Sequence, residues 1–310
     1  MTKLMFCGTP TFAIPSLKAL LEDPDFKVEM VLSQPDRPSG RGHKLKASPV
    51  KEFALANNLA VETPESVNTP EFMSQLKSLS LDACVVVAYG QILKQAFLDH
   101  FNSQCVNIHG SLLPRWRGAA PIQRALMAGD KETGVSLQRI VRKLDAGPVI
   151  GERSLAAPEA LNALELHDQL SLMGGDLLVN EFKSYIRGEL EPKEQDESKV
   201  THAEKISKEE SRLNWSWPGK KVHDHIRGLA MGPYPWTELS GVKYKIHKTE
   251  LNPRSGEPGT IVSATKEQLT VACGEGSLNI LEIQPESKKK LTINEFLRGS
   301  QFQEGDRFES

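Results

Sequence analysis

An apolar run at Leu4–Cys7 gives way to Gly8-Thr9-Pro10, and Phe12, Ile14, Leu17, Leu20 and Leu21 follow at helical spacing. This predicts a strand, a tight turn and a helix, with Thr11 placed to cap it. The same alternation continues down the chain. Val28–Leu32 predicts a second strand, and Pro49–Asn57 and Pro70–Leu79 predict helices capped by Ser48 and Thr69. The unbroken apolar run Ala83–Val87 suits a strand buried on both faces of a sheet. Cys105–Ile108 and Thr133–Ile140 predict further strands, with a helix from Pro121 to Gly129 between them. A long helical region over Ala160–Ile186 carries leucines at helical spacing and is expected to be interrupted near Gly174-Gly175. Strands alternating with helices in this way predict an α/β domain.

The pattern changes near residue 187. From Arg187 to Glu210 the chain is charged and nearly free of large apolar residues, which predicts a solvated linker. Beyond it, Pro218-Gly219 gives a turn and the next stretch a helix. Short alternating segments (KYKIH, GTIVSA, LTVACG, LNILEIQ) then predict a small antiparallel barrel. His223 and His225 share the short helix, but their i, i+2 spacing points them apart, so they are expected to be solvated rather than metal-bound.

Composition narrows the picture only in places. A length of 310 residues suits two domains, and 39% apolar with 25% charged residues is ordinary for a globular protein. A formal net charge of −2 gives no global basicity, so a nucleic-acid partner would have to use a local patch. The four cysteines lack C-x-x-C spacing and read as buried thiols of a reducing compartment. No run approaches membrane-spanning length, and the N-terminus has no charged segment leading into an apolar one, so a cytoplasmic location is expected.

Candidate chemistry gathers at CVNIHGSLLPRWRGAAP, Cys105–Pro121. Asn107 and His109 stand where a strand gives out, at the sheet edge where parallel sheets bind ligands. Further on, RKLDAGPVI places Asp145 before a glycine turn. An amide, an imidazole and a carboxylate on neighbouring loops suit oxyanion stabilisation and proton transfer without a metal. A G-x-G-x-x-G fingerprint is absent after the first strand, which argues against a dinucleotide site. Ser33–Lys51 is basic, with Arg37, Arg41, Lys44, Lys46 and Lys51 against the single acid Asp36. Cations so arranged suit a phosphate backbone.

Asn107-x-His109, the run Ser111–Gln123 and Leu144–Gly147 resemble the folate-dependent formyltransferase superfamily, and the likeness extends over nearly the whole chain. The resemblance implies a Rossmann-like, mostly parallel sheet with flanking helices over 1–188, a linker over 189–206 and an OB-like barrel contacting tRNA over 207–310. It implies that Asn107, His109 and Asp145 are catalytic, with 10-formyltetrahydrofolate as formyl donor and methionyl initiator tRNA as acceptor. The folate would lie against Tyr89, Gly90, Gln91, Ile92 and Leu93 and against Ser111, Leu112, Leu113 and Pro114. Arg37, Arg41, Lys44 and Lys46 match a tRNA-binding loop, with Arg41 the main determinant. No metal is implied, and a monomer is expected. Val141-Arg142-Lys143 replaces an acidic-x-glycine step usual in the family and is similar to sugar-nucleotide formyltransferases. An amino-sugar nucleotide or a ribonucleotide therefore stays open as acceptor. An RNA-binding protein without catalysis is the rival from another class, and the intact Asn–His–Asp set argues against it.

Overall fold

A computed structural model describes residues 1–39, 44–300 and 302–309. The chain forms two compact units, one of residues 1–118, 133–155 and 167–202, the other of 119–132, 156–166 and 203–310. In chain order the first unit begins β1 (Thr2–Gly8), α1 (Ile14–Glu22), β2 (Phe26–Leu32), β3 (Arg37–Ser39), β4 (Lys44–Lys46), α2 (Pro49–Ala56) and β5 (Val61–Glu62). It continues through α3 (Pro70–Ser78), β6 (Ala83–Val87), α4 (Gln95–His100), β7 (Cys105–His109) and the two-residue β8 (Arg117–Gly118). After α5 (Pro121–Met127) come β9 (Glu132–Arg139), β10 (Val149–Ala156), α6 (Ala163–Ile186) and the short β11 (His202–Ala203).

Seven strands form one sheet in the order β10-β9-β7-β6-β1-β2-β5. β1 pairs in parallel with β2 and β6, β2 with β5, and β6 with β7, whereas β7 meets β9 antiparallel. The chain winds outward from β1 to β5 and then crosses back to β6, so the order reverses between β1 and β6. In open α/β sheets such a reversal opens a crevice at the carboxyl ends of the strands. The parallel-dominated α/β expectation is met.

The local signals succeed where they concern helix starts. Ser48 Oγ accepts from Lys51 N at 3.0 Å and Thr69 Oγ1 from Phe72 N at 3.2 Å, as their positions predict. Thr11 does not cap. Residues Thr11–Ala13 form a 3-10 turn held by Ala13 N donating to Pro10 O at 3.1 Å, and α1 begins only at Ile14. Pro15 in its first turn removes a donor that would otherwise need a partner.

α6 runs unbroken through Gly174-Gly175, contrary to the expected interruption. The glycines serve packing instead. A Cβ on Gly174 would stand 2.9 Å from Ile108 Cγ2 of β7, and one on Gly175 would stand 2.9 Å from Pro15 O. Each glycine costs a helix about 1 kcal/mol relative to alanine, and here that is offset by close approach to β7 and to α1. The other sheet face buries Met5, Cys7, Cys84, Val86 and Cys105 against Phe72 and Phe97 of α3 and α4. All four cysteines are free and buried.

The second unit contains α5, α7 (Gly219–Gly228), β12 (Trp236–Leu239), β13 (Val242–Asn252), β14 (Ile261–Ala264), β15 (Leu269–Ala272), β16 (Ser277–Pro285), β17 (Leu291–Thr292) and α8 (Ile293–Leu297). Its antiparallel strands, ordered β12-β13-β16-β15-β14 with β17 on β16, make a curled half-barrel. Register shifts between Ile246 and Thr249 fall where β13 bends along β16, as bulges do. Trp215, Val222, Ile226, Ile246, Leu278 and Phe308 meet in its core.

α7 corrects the reading of its histidines. Both are buried. His223 takes a 2.9 Å bond with Thr249 Oγ1 and donates from Nε2 to Glu159 O at 3.1 Å, while His225 Nε2 donates to Glu210 O at 2.7 Å. Asp224 and Arg227 pair at 2.7 Å with both side chains buried. Gly228 admits α5, since a Cβ there would stand 2.6 Å from Met127 Cγ. A helix with few apolar letters is buried because its polar groups all find partners.

Candidate active site

β7 lies between β6 and β9, with Asn107 registered beside Val86 and Gln138, and His109 beside Ser136. Period-two alternation puts Cys105, Asn107 and His109 on one face of the strand. Cys105 is core. Asn107 is half-buried at the carboxyl end of the sheet, and among the described residues its carboxamide has no side-chain hydrogen bond. Its two N–H donors are therefore uncommitted.

His109 is buried and tightly oriented. Its Nε2 stands 2.8 Å from the carbonyl of Trp116, which only accepts, so Nε2 carries the proton. The other nitrogen, Nδ1, then faces Asp145 Oδ2 at 3.7 Å. That is ion-pair range but longer than a hydrogen bond. A third polar atom set to one side can reach both. Asp145 Oδ2 accepts from Gly118 N at 2.9 Å and Oδ1 from Gln138 Nε2 at 3.1 Å, which fixes the carboxylate's plane. The structure thus gathers His109 and Asp145, which the sequence places on separate loops, with Asn107 on the same strand face as His109.

The two remaining loops are built mainly by backbone. Ala88 (φ 48) and Gly90 (φ 89) turn the chain sharply after β6. Tyr89 points its ring into the core, and its carbonyl accepts from Thr9 Oγ1 at 2.8 Å, tying the β6 loop to the β1 loop across the crevice. Burial pushes the Tyr89 hydroxyl well above its ordinary value. Gln91 is committed to Val67 N and Pro64 O. Of the five residues there, Ile92, 82% exposed, and the half-buried Leu93 offer apolar surface. In the second loop Ser111 Oγ donates to Arg115 O at 2.6 Å, and Leu113 N donates to Ser136 Oγ at 3.0 Å. Leu113-Pro114 is cis, and Leu112 is half-buried. Tyr89, Gln91 and Ser111 therefore shape the walls rather than present side chains to them.

The basic stretch is a hairpin rather than an irregular loop. β3 and β4 pair antiparallel, with Arg37 opposite Lys46 and Ser39 opposite Lys44. Alternation puts Arg37, Lys44 and Lys46 on one face. Like charges placed directly opposite repel and favour an anionic partner. Arg37 reaches Glu65 at 3.1 Å, and Lys51 is committed to Asp36 at 2.8 Å. Arg41 lies outside the described residues.

Residues the sequence reading passed over complete the site. Gln138 is visible as the one amide side chain of β9. Arg117 (1% exposed), Gln195, Glu197 and Thr201 gave no such signal, and the last three lie in the stretch expected to be a solvated linker. That stretch is held down. Lys193 and Val149 exchange two 2.8 Å backbone bonds, and Gln195 Nε2 donates to Asp145 O at 2.9 Å and Gly147 O at 2.7 Å. Glu197 pairs with Arg117 at 2.8 Å and Lys143 at 2.7 Å, and these cations, Arg117 foremost, hold its carboxyl down at about 2.

A formyl transferase family model matches residues 2–181, and a model of the formyl transferase C-terminal domain matches 205–301. Methionyl-tRNA formyltransferase of Bdellovibrio bacteriovorus is 49% identical over 310 residues, covering 98% of both chains. That of Methylococcus capsulatus is 44% identical over 297 residues, covering 95% of this chain and 96% of its own. Among solved structures, the N-formyltransferase of Helicobacter canadensis in complex with folinic acid and dTDP-3-aminofucose shares the fold. Its TM-score is 0.70 at 18% identity, over 94% of this chain and all of that one. HypX of Aquifex aeolicus in complex with tetrahydrofolic acid has TM-score 0.63 at 15% identity, over all of this chain and 51% of its own.

Proposed function

Because this chain belongs to the formyl transferase family, we propose that it transfers the formyl group of 10-formyltetrahydrofolate to the amino group of methionyl initiator tRNA, at the start of translation. The observation that carries this is near-full-length identity, up to 49%, to enzymes named methionyl-tRNA formyltransferase. The formyl chemistry is assigned to residues 1–188 and tRNA contact to 207–310, with 189–206 joining them.

The residues fit a folate. Asn107 holds uncommitted donors at the end of the sheet, Gly90 keeps a backbone surface bare, and Ile92 and Leu93 give apolar walls. When bound, the folate supplies an activated formyl group. Asn107 donates to the formyl oxygen as negative charge builds there, where a fixed donor contributes most. His109 and Asp145 receive the proton that the attacking amine must lose, since one nitrogen can sit within reach of Nδ1 and Oδ2 together. Arg37, Lys44 and Lys46, with Arg41, engage the acceptor stem.

Lys143 argues against the sugar-nucleotide alternative. One of the two cations of the basic step that suggests it is already paired with Glu197 at 2.7 Å, while Arg142 beside it is exposed. The buried free thiols and the charged tRNA substrate fit the cytoplasm, and the enzyme acts as a monomer. The test supplies labelled formyl-folate with charged initiator tRNA, uncharged tRNA and amino-sugar nucleotides. Label is expected on Met-tRNA alone, and label on the sugar nucleotides would overturn the assignment.

A further inference from the structure

We propose that the segment from Lys193 to Thr201 is a positioning strap for catalysis, with Gln195 as its central positioning residue. The proposal rests on the roles just given to His109 and Asp145. It adds that their alignment depends on a stretch of chain that sequence reading treats as a linker.

Three side chains of this segment each reach the loops that carry the site. Gln195 spends both amide protons on Asp145 O and Gly147 O and accepts from Arg117 Nε at 2.9 Å. Glu197 repeats the bridge with charge, one oxygen on Arg117 and the other on Lys143, two residues before Asp145. Thr201 holds the other loop. Its Oγ1 accepts from Trp116 N at 2.9 Å, and its carbonyl accepts from Arg117 N at 2.9 Å. These two bonds flank the Trp116 carbonyl that fixes the His109 ring. The strap therefore sets Asp145 and the partner of His109 against a common support.

The loops need that support. Asp145 sits at φ 48 and Trp116 at φ 64, left-handed conformations that disfavour side-chain-bearing residues. Arg117 is buried, and its Nη1 has no partner among the described residues, so Gln195 and Glu197 are what hold the guanidinium. A spacer would leave its polar side chains to water. Here an amide far along the chain satisfies two carbonyls of the turn that carries the carboxylate, and its own carbonyl is held in turn. Small displacements of a reacting group cost rate steeply, so this geometry acts on turnover more than on binding.

The test compares Gln195→Ala and Gln195→Glu with the unmodified enzyme, alone and combined with Asp145→Asn, in steady-state formylation of Met-tRNA. Gln195→Glu keeps the acceptor for Arg117 but loses both donors to the turn, so it carries the test if Gln195→Ala fails to fold. In either variant kcat is expected to fall roughly tenfold or more while KM for folate and for tRNA stays within about twofold. In the Asp145→Asn background the same change should cost little further. Unchanged kcat in Gln195→Glu, with Asp145→Asn slowed but still measurable, would overturn the strap and leave the catalytic assignment standing. An equal loss in both backgrounds would also overturn it, marking Gln195 as merely structural. If Asp145→Asn turned over normally, the strap would fall together with the Asp145 role, while formylation of Met-tRNA would still hold.

Discussion

At the scale of single residues, the site is defined by what each polar atom has left to give. Asn107 keeps both donors, whereas Gln91 and Ser111 have spent theirs on the protein, and the Tyr89 hydroxyl is buried without a partner among the described residues. Residue type alone does not separate these cases. Asn107 and Gln91 are both amides near a strand end, but of the two only Gln91 is bonded to the protein among the described residues. Asn107→Ala is therefore expected to lower kcat by about 10²–10³ with folate affinity retained. Turnover on Met-tRNA and a fluorescence titration with folate measure the two separately. Turnover near that of the unmodified enzyme would remove Asn107 from the reaction. His109 shows the same dependence on context, because the Trp116 carbonyl, not the sequence, fixes which nitrogen carries its proton.

Elements behave as their periodicity predicts until packing overrules it. The capped helices and the apolar strands form where the pattern places them. α6 keeps its helix through two glycines because β7 and α1 occupy the space that their Cβ atoms would fill. α7 is the sharper case. Its polar letters suggest a solvated face, yet it is buried with bonded partners. Burial lowers the pKa of His223 and His225 below their ordinary 6.5, so the folded chain keeps them neutral where the unfolded chain takes up protons. The stability this confers is complete above 6.5 and is lost as pH falls below it. The urea midpoint is expected to drop between about pH 7.5 and 5.5, and His223→Gln should flatten that slope. An unchanged slope would contradict neutral burial.

Across the whole molecule, the net charge of −2 hides a local arrangement. The β3–β4 hairpin lines up Arg37, Lys44 and Lys46 on one face, and Lys44 and Lys46 are exposed. If this face meets phosphates, Lys44→Ala should weaken initiator and elongator tRNA alike. The log–log salt slope of tRNA binding should then decrease by about one. Formyl-folate hydrolysis without tRNA should not change. A salt slope equal to that of the unmodified protein would make the hairpin a bystander. Chain order also misleads about where segments belong, since 119–132 and 156–166 fall in the unit otherwise formed by 203–310.

The sequence by itself determined the alternation of strands and helices, the caps at Ser48 and Thr69, the barrel-like strands of the second half and the Asn107, His109 and Asp145 candidates. These rest on spacing and turn chemistry within a few residues, which a sequence displays directly. Only the tertiary structure decided that Gln195, Glu197 and Thr201 bond to the loops carrying Asp145 and Trp116, that α7 is buried, and that Tyr89 faces the core. The reason is physical. A glutamine or glutamate is written with the same letter whether it is solvated or bonded to a distant carbonyl, and the distance from Gln195 to Asp145 is set by the fold, not by the chain between them.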